Sequence, residues 1–250
     1  MTALEFAVQD VAGALGARGV GADRVELCAA LGSTGGLTPS IGTIEAVVGT
    51  GIPVHVLIRC RAGGFVYADA EELAVMNADA RAAVSAGVRG LVVGALTPDH
   101  RVDVEGLRRV LDGVDVDDIE LTFHRGIDQI RDREAALDTL IAGGMTRVLT
   151  SGGAATCAEG VDELASMVEH AAGRIQIMAG GGVTVGDIAA LQRVGVDAIH
   201  LSARRVIADD GGPGGGGTSG HEQLDEELAA AAAARLLATG GPTTPGRPPA

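Results

Sequence analysis

The sequence predicts a single-domain α/β protein built as a (β/α)8 TIM barrel, on three observations. Short β-branched runs alternate with longer Ala/Leu/Val stretches at helical spacing, eight times over. The 250 residues, 46% of them hydrophobic, are enough to bury one large core. A doubly wound open sheet also alternates strand and helix, but it places a glycine fingerprint after an early strand, and residues 9–19 carry none.

The strands predicted in order are LEFAV (4–8), DRVELC (23–28), PVHVLIR (53–59), GLVVGAL (90–96), DIELTFH (118–124), TRVLTS (146–151), RIQIMAG (174–180) and DAIHLSA (197–203). Helical spacing is read between them over 71–87, 103–112, 131–143, 157–172 and 184–194. Acids or caps such as Glu71, Asp103 and Thr184 mark the starts, and Gly87, Gly143 and Gly195 the ends. After the eighth strand, DDGGPGGGGTSG (209–220) predicts a flexible loop. Residues 221–238 predict a last helix that closes the domain at 238, and TGGPTTPGRPPA (239–250) predicts a disordered tail.

Composition narrows the function. A formal charge of −14, with arginines scattered along the chain, argues against nucleic-acid and anionic-membrane partners. No apolar run reaches the roughly 20 residues that cross a bilayer. The opening MTALEF lacks the features of a signal peptide, so a cytoplasmic protein is expected. Cys28, Cys60 and Cys157 form no CxxC pair and indicate neither a disulfide framework nor a zinc knuckle. All nineteen basic residues are arginine. Without lysine, Schiff-base aldolase, pyridoxal-phosphate and Walker P-loop chemistries are excluded.

Period-two alternation sorts the strand side chains by face. With Val54, Val56 and Ile58 turned to the helices, His55, Leu57 and Arg59 point inward. The same reading turns Glu5, Glu26, Cys28, Glu120, Thr122, His124, His200 and Ser202 inward. A purely structural barrel is filled by bulky aliphatic side chains. Buried charges must be neutralised by one another, by a metal or by a ligand. The readings that follow are a self-satisfied salt-bridge network or a pocket at the C-terminal strand ends. Glu120, at a strand start, is assigned to stability; His100, His170 and His221 are assigned to the surface.

Three polar turns suggest an anion site: TSGG with Ser151 and Gly152, IMAGGGV with Gly180, Gly181 and Gly182, and HLSAR with Ser202 and Arg204. Backbone amides at such turns approach anions closely, and barrels commonly bind phosphate after strands seven and eight.

The segments GADRVELCAA, GGLTPSIG, IPVHVLIR, GLVVGALT, TFHRGID, RVLTSGG, IMAGGGV and HLSAR, running in order over roughly residues 4–205, resemble the copper homeostasis protein CutC family. The resemblance implies a cytoplasmic (β/α)8 barrel, often a homo-oligomer (dimer or tetramer), linked to copper tolerance and in some members to Cu(I) binding. Within RCRAGG (59–64), Cys60 stands where the family has proline and Gly64 where it has an acid. Cu(I) selects thiolate and thioether ligands, and Cys28 is the cysteine placed by the family motif, so it is the candidate metal ligand. The alternative is an enzyme acting on a small anionic or phosphorylated substrate by isomerisation, aldol-type or hydrolytic chemistry. Its candidate catalytic residues are Glu5, Glu26, His55, Arg59, His124, Arg125, Asp128 and His200, with His124 as acid or base and Arg59 and Arg125 as clamps.

Overall fold

The computed structural model describes residues 2–208 and 220–239. Eight parallel strands close in sequence order: β1 (Ala3–Val8), β2 (Arg24–Leu27), β3 (Val54–Leu57), β4 (Gly90–Val93), β5 (Glu120–Phe123), β6 (Arg147–Thr150), β7 (Gln176–Gly180) and β8 (Ala198–Leu201), with β8 paired back to β1. Each lies within its predicted run, save that β1 begins one residue earlier. The fold is the (β/α)8 barrel.

The alternation has a direct structural result. Leu4, Phe6, Val25, Leu27, Val54, Val56, Ile58, Leu121 and Phe123 join the surrounding helices in one continuous core. Burying each such side chain stabilises the fold by about 1.5–3 kcal/mol. Among the described residues, two small apolar groups lie apart from this core, Cys28–Leu57–Val92 and Leu149–Met178–Ala198. The rest of the interior is polar: Glu5, Arg24, Glu26, His55, Thr122 and Arg147 are all buried.

The helices are α1 (Val11–Gly19), α2 (Leu31–Thr34), α3 (Ile41–Val48), α4 (Ala70–Ser85), α5 (Val104–Val110), α6 (Arg133–Ala142), α7 (Val161–Ala171), α8 (Ile188–Arg193) and α9 (Glu226–Thr239). Asp10, Asp103 and Asp132 accept the amides of Gly13 (2.7 Å), Gly106 (2.9 Å) and Ala135 (3.0 Å), so these three starts are side-chain capped. Helix α8 starts four residues later than its sequence predicts, because Asp187 accepts both the amide and the hydroxyl of Thr184 and closes a turn there instead. Helix α6 ends at a right-handed Gly143, and the left-handed residue is Gly144, one further on.

The predicted helix over 221–238 is corrected at its start. His221–Leu224 form strand β10, antiparallel to β9 (Arg204–Ile207). Glu222 pairs with Arg204 and accepts from Gln9 Nε2 (3.0 Å) and the Gly32 amide (2.9 Å), which ties the ribbon to the barrel rim. The helix signal sits at Asp225, whose carboxylate accepts the Leu228 amide at 3.0 Å. Thr239, assigned by sequence to the tail, closes α9. The rest of the tail, 240–250, and the glycine-rich loop apart from Gly220 lie outside the described residues.

Candidate active site

A cavity of about 310 Å3 opens at the C-terminal mouth of the barrel, with Glu26, His124, Arg125, His200, Ser202 and the Gly181–Gly182 turn among its walls. A larger hollow of about 720 Å3 lies on the flank beside α6, but its charged and histidine residues, Asp99, His100, Arg101, Arg131 and Asp132, are all exposed. Convergent buried polar groups belong to the mouth.

His124 follows β5 directly. Its Nδ1 accepts the Gly126 amide at 3.0 Å, so the proton of the neutral ring sits on Nε2. Burial lowers its pKa to about 4, and the ring is neutral at pH 7. The ring packs on Phe65, centroids 4.3 Å apart, and fills the space above Gly94, where a Cβ would stand 2.2 Å from Cε1. Nε2 is buried with no hydrogen-bond partner. His124 is therefore placed as a neutral donor.

Glu26 on β2 is the complement. Burial raises its pKa to about 7; His200 pulls it down and the Glu5 charge pushes it further up. Its Oε2 is buried without a hydrogen-bond partner, 4.0 Å from His200 Nδ1. Glu5, on the neighbouring strand, is the opposite case. Burial favours its neutral form, but a 2.7 Å hydrogen bond from His200 Nδ1 and the Arg24 guanidinium at 2.5 Å hold it well below the usual carboxylate range. Burial opposes charge on His200 too, yet the hydrogen bond to Glu5 and the two carboxylates raise its pKa.

The other predicted residues divide by what they touch. Arg59 is no open clamp: its terminal nitrogens donate to the Thr34, Gly36 and Gly63 carbonyls (2.8, 2.7 and 2.7 Å), tying loops together while the guanidinium stacks over Phe65. Asp128 is saturated. It accepts from Thr150 Oγ1 (2.6 Å), the Ser151 and Gly153 amides (both 3.1 Å), Ser151 Oγ (3.0 Å) and Arg125 Nε (2.8 Å). The one hydroxyl proton of Ser151 lies between Asp128 and the Ala154 carbonyl (2.6 Å), and Gly152 packs against the Gly160 backbone. Asp128 and Ser151 thus brace Arg125 from behind, and neither they nor Gly152 line the cavity. Gly180 is held close by Leu149 and His200. Gly181, Gly182, Ser202 and Arg204 do line it, with Gly181 at φ +119° under the Arg125 guanidinium, a conformation open to glycine. His55 lies deeper than the cavity, lowered to about 4 by burial.

Arg24 and Arg147 were absent from the sequence-based candidates. Both stand two residues from an inward-facing position, and the alternation that selects Glu26 selects Arg24 as well.

The donor set does not fit Cu(I). Cys28 Sγ sits in an apolar layer with Leu57 and Val92, 3.9 Å from the Val8 carbonyl, and burial pushes its thiol well above the usual range. Cys60 packs on the outer core, and Cys157, expected at a helix start, lies in the loop before α7 with its thiol pushed up to about 12 by burial. Among the described residues, one group of three metal-ligating side chains converges: Glu5, Glu26 and His200. Its donors are hard oxygens and a nitrogen, and Glu5 is already taken by Arg24 and His200.

Fold and site together define a (β/α)8 barrel with a polar pocket at its C-terminal mouth. The chain belongs to the CutC family, whose model matches residues 2–205. It is 46% identical over 207 residues to a CutC family protein of Xylella fastidiosa, covering 82% of this chain and 76% of that one. It is 43% identical over 206 residues to the human copper homeostasis protein cutC homolog, covering 80% and 73%. A solved structure of a Streptococcus agalactiae protein described as CutC superposes with a TM-score of 0.75 at 34% identity, covering 81% of this chain and 99% of that one.

Proposed function

We propose that the protein is an enzyme that transfers a proton on a small anionic carbonyl compound at the barrel mouth. One observation carries the reading: Glu26 and His124 line the same cavity, and each has a buried polar atom, Oε2 and Nε2, without a hydrogen-bond partner. Unsatisfied buried polar groups cost about 1–3 kcal/mol each, and a substrate that satisfies them recovers that cost. Glu26, titrating near 7, takes a proton from the carbon beside the carbonyl and returns it to the neighbouring atom. As charge develops on the carbonyl oxygen, the neutral imidazole of His124 donates Nε2–H to it, a role a permanently charged imidazolium fills less well. Arg125, braced by Asp128, and the Gly181–Gly182 turn hold the anionic end. The chemistry needs no amine nucleophile, in keeping with a chain that has no lysine.

Among the described residues no helix is long and apolar enough to cross a membrane. With the acidic balance of the chain, this supports a cytoplasmic, small-molecule role. Copper homeostasis, named in the human relative, finds no matching soft-donor set in this pocket.

The test is deuterium incorporation, followed by proton NMR in D2O, from a panel of small sugar phosphates and 2-oxo acids. Glu26→Gln is expected to slow exchange at the reactive carbon by 100-fold or more, within the usual range for general acid–base groups of about 10²–10⁴. Failure of every member of the panel to exchange, with no thermal shift from 2-phosphoglycolate, overturns the reading.

A further inference from the structure

The cavity accounts for Glu26, His124 and His200 but leaves unexplained a row of titratable side chains below it. Glu120 opens β5 at the N-terminal face, its side chain 48% exposed. Its Oε2 lies 3.5 Å from Nε2 of the buried His55, and His55 Nδ1 lies 4.0 Å from Glu5 Oε2. Glu5 Oε1 accepts from His200 Nδ1 at 2.7 Å, and that nitrogen is 4.0 Å from Glu26 Oε2. Each group is within 4.0 Å of the next, from solvent on one face of the barrel to the cavity on the other.

We infer that Glu120, His55, Glu5, His200 and Glu26 form an axial proton relay that connects the mouth cavity with solvent at the opposite face. The inference rests on the reading of Glu26 as the proton-transferring group. A substrate that fills a cavity of about 310 Å3 covers Glu26 from the mouth, and a back route keeps its protonation in equilibrium with solvent. A purely structural plug needs only the Arg24–Glu5 and Arg147–Glu120 pairs (2.5 and 2.7 Å). Inserting His55 between them burdens the core with a ring whose Nδ1 has no hydrogen-bond partner, and Gly90 leaves space for that ring, since a Cβ there would stand 2.7 Å from it. Facing the row, Arg24 and Arg147 hold Glu5 and Glu120 ionised and disfavour a resting charge on His55.

The step balances proton for proton. Glu26 takes the Nδ1 proton of His200, and His200 recovers one from Glu5. Glu5 takes its proton from His55 Nδ1 and presents it to His200 by a half-turn of its carboxyl group. His55 takes a proton at Nε2 from Glu120, which draws on solvent, as it releases the one on Nδ1, and a flip of the ring restores its starting tautomer for the next transfer.

The readout is solvent exchange of the ring N–H of His55 in protein labelled with ¹⁵N-histidine, without substrate. E120Q closes the lower end, H200Q the upper, and E120Q/H200Q both; circular dichroism and thermal melts report the fold of each. The relay predicts that each single variant slows exchange and that the double variant slows it at least tenfold, with E120D close to wild type. A merely structural network predicts the opposite sign, because lost contacts loosen the barrel and speed exchange. Unchanged or faster exchange in E120Q, or in E120Q/H200Q where the single variant melts early, overturns the relay. Exchange is read without turnover, so failure of the relay and failure of the proposed enzymatic activity are seen separately.

Discussion

Glu5 and Glu26 occupy the third positions of adjacent strands, are both buried, and titrate in opposite directions. The difference is one of partners. Arg24 and His200 satisfy Glu5 completely, whereas Glu26 keeps an oxygen without a hydrogen bond. Carbon-13 NMR of the side-chain carboxyls is expected to show one glutamate with a midpoint near 7, lost in Glu26→Gln, and one that stays ionised to strongly acid pH. Arg24→Met strands the Glu5 charge and is expected to cost about 3–5 kcal/mol in urea unfolding. Under reducing conditions, Cu(I) titration of Cys28→Ala is expected to match wild type; a lost equivalent would restore a copper site at Cys28. The inward set around Glu5, Glu26, His55, His124 and His200 was legible from alternation alone. The fates of Arg59 and Asp128 were not, because most of their partners, Thr34 and Gly36 for the one and Thr150, Ser151 and Gly153 for the other, lie more than twenty residues away, where no local pattern places them.

At the scale of elements, strand ends and the glycines beside them shape the site. Gly94, just past β4, exists in contact with the His124 ring across the barrel wall, so Gly94→Ala is expected to push the imidazole out of place. Overpacking of this kind costs about 1–3 kcal/mol. The loss should appear as a lower melting temperature together with a displaced His124 Cε1 proton resonance. Eight strands could be read from β-branched runs because each packs one apolar face on helices. The β9–β10 ribbon could not. Its residues, RRVI and HEQL, carry no apolar alternation, and what joins them is the cross-strand ladder and the ties of Glu222 to Arg204, Gln9 and Gly32.

For the whole molecule, the polar interior sets the response to acid. His55 and His124 are both lowered to about 4 in the folded state, against an ordinary histidine value of 6.5, so the unfolded chain binds their protons first. Stability from these two groups is present above 6.5 and is lost as pH falls toward 4. Glu26, raised to about 7 from 4.5, works the other way: its contribution is present below 4.5 and is lost as pH rises through 7. Between 6.5 and 4.5 two losses are therefore offset by one gain. Below 4.5 that gain has ended, and Glu5 and Glu120, both lowered in the fold, add their own losses. Chemical denaturation across pH 3.5–8 should show a shallow decline below 6.5 that steepens below 4.5. A flat profile would contradict the burial of both rings.

The three cysteines give the folded chain a built-in clock. Cys28 and Cys157 are sealed in protonated form while Cys60 reaches the surface in part. A colourless disulfide reagent that releases dye on reaction should register one thiol promptly in the native protein and the remaining two only at the rate at which the barrel opens. The slow phase then measures opening directly, with no engineered probe.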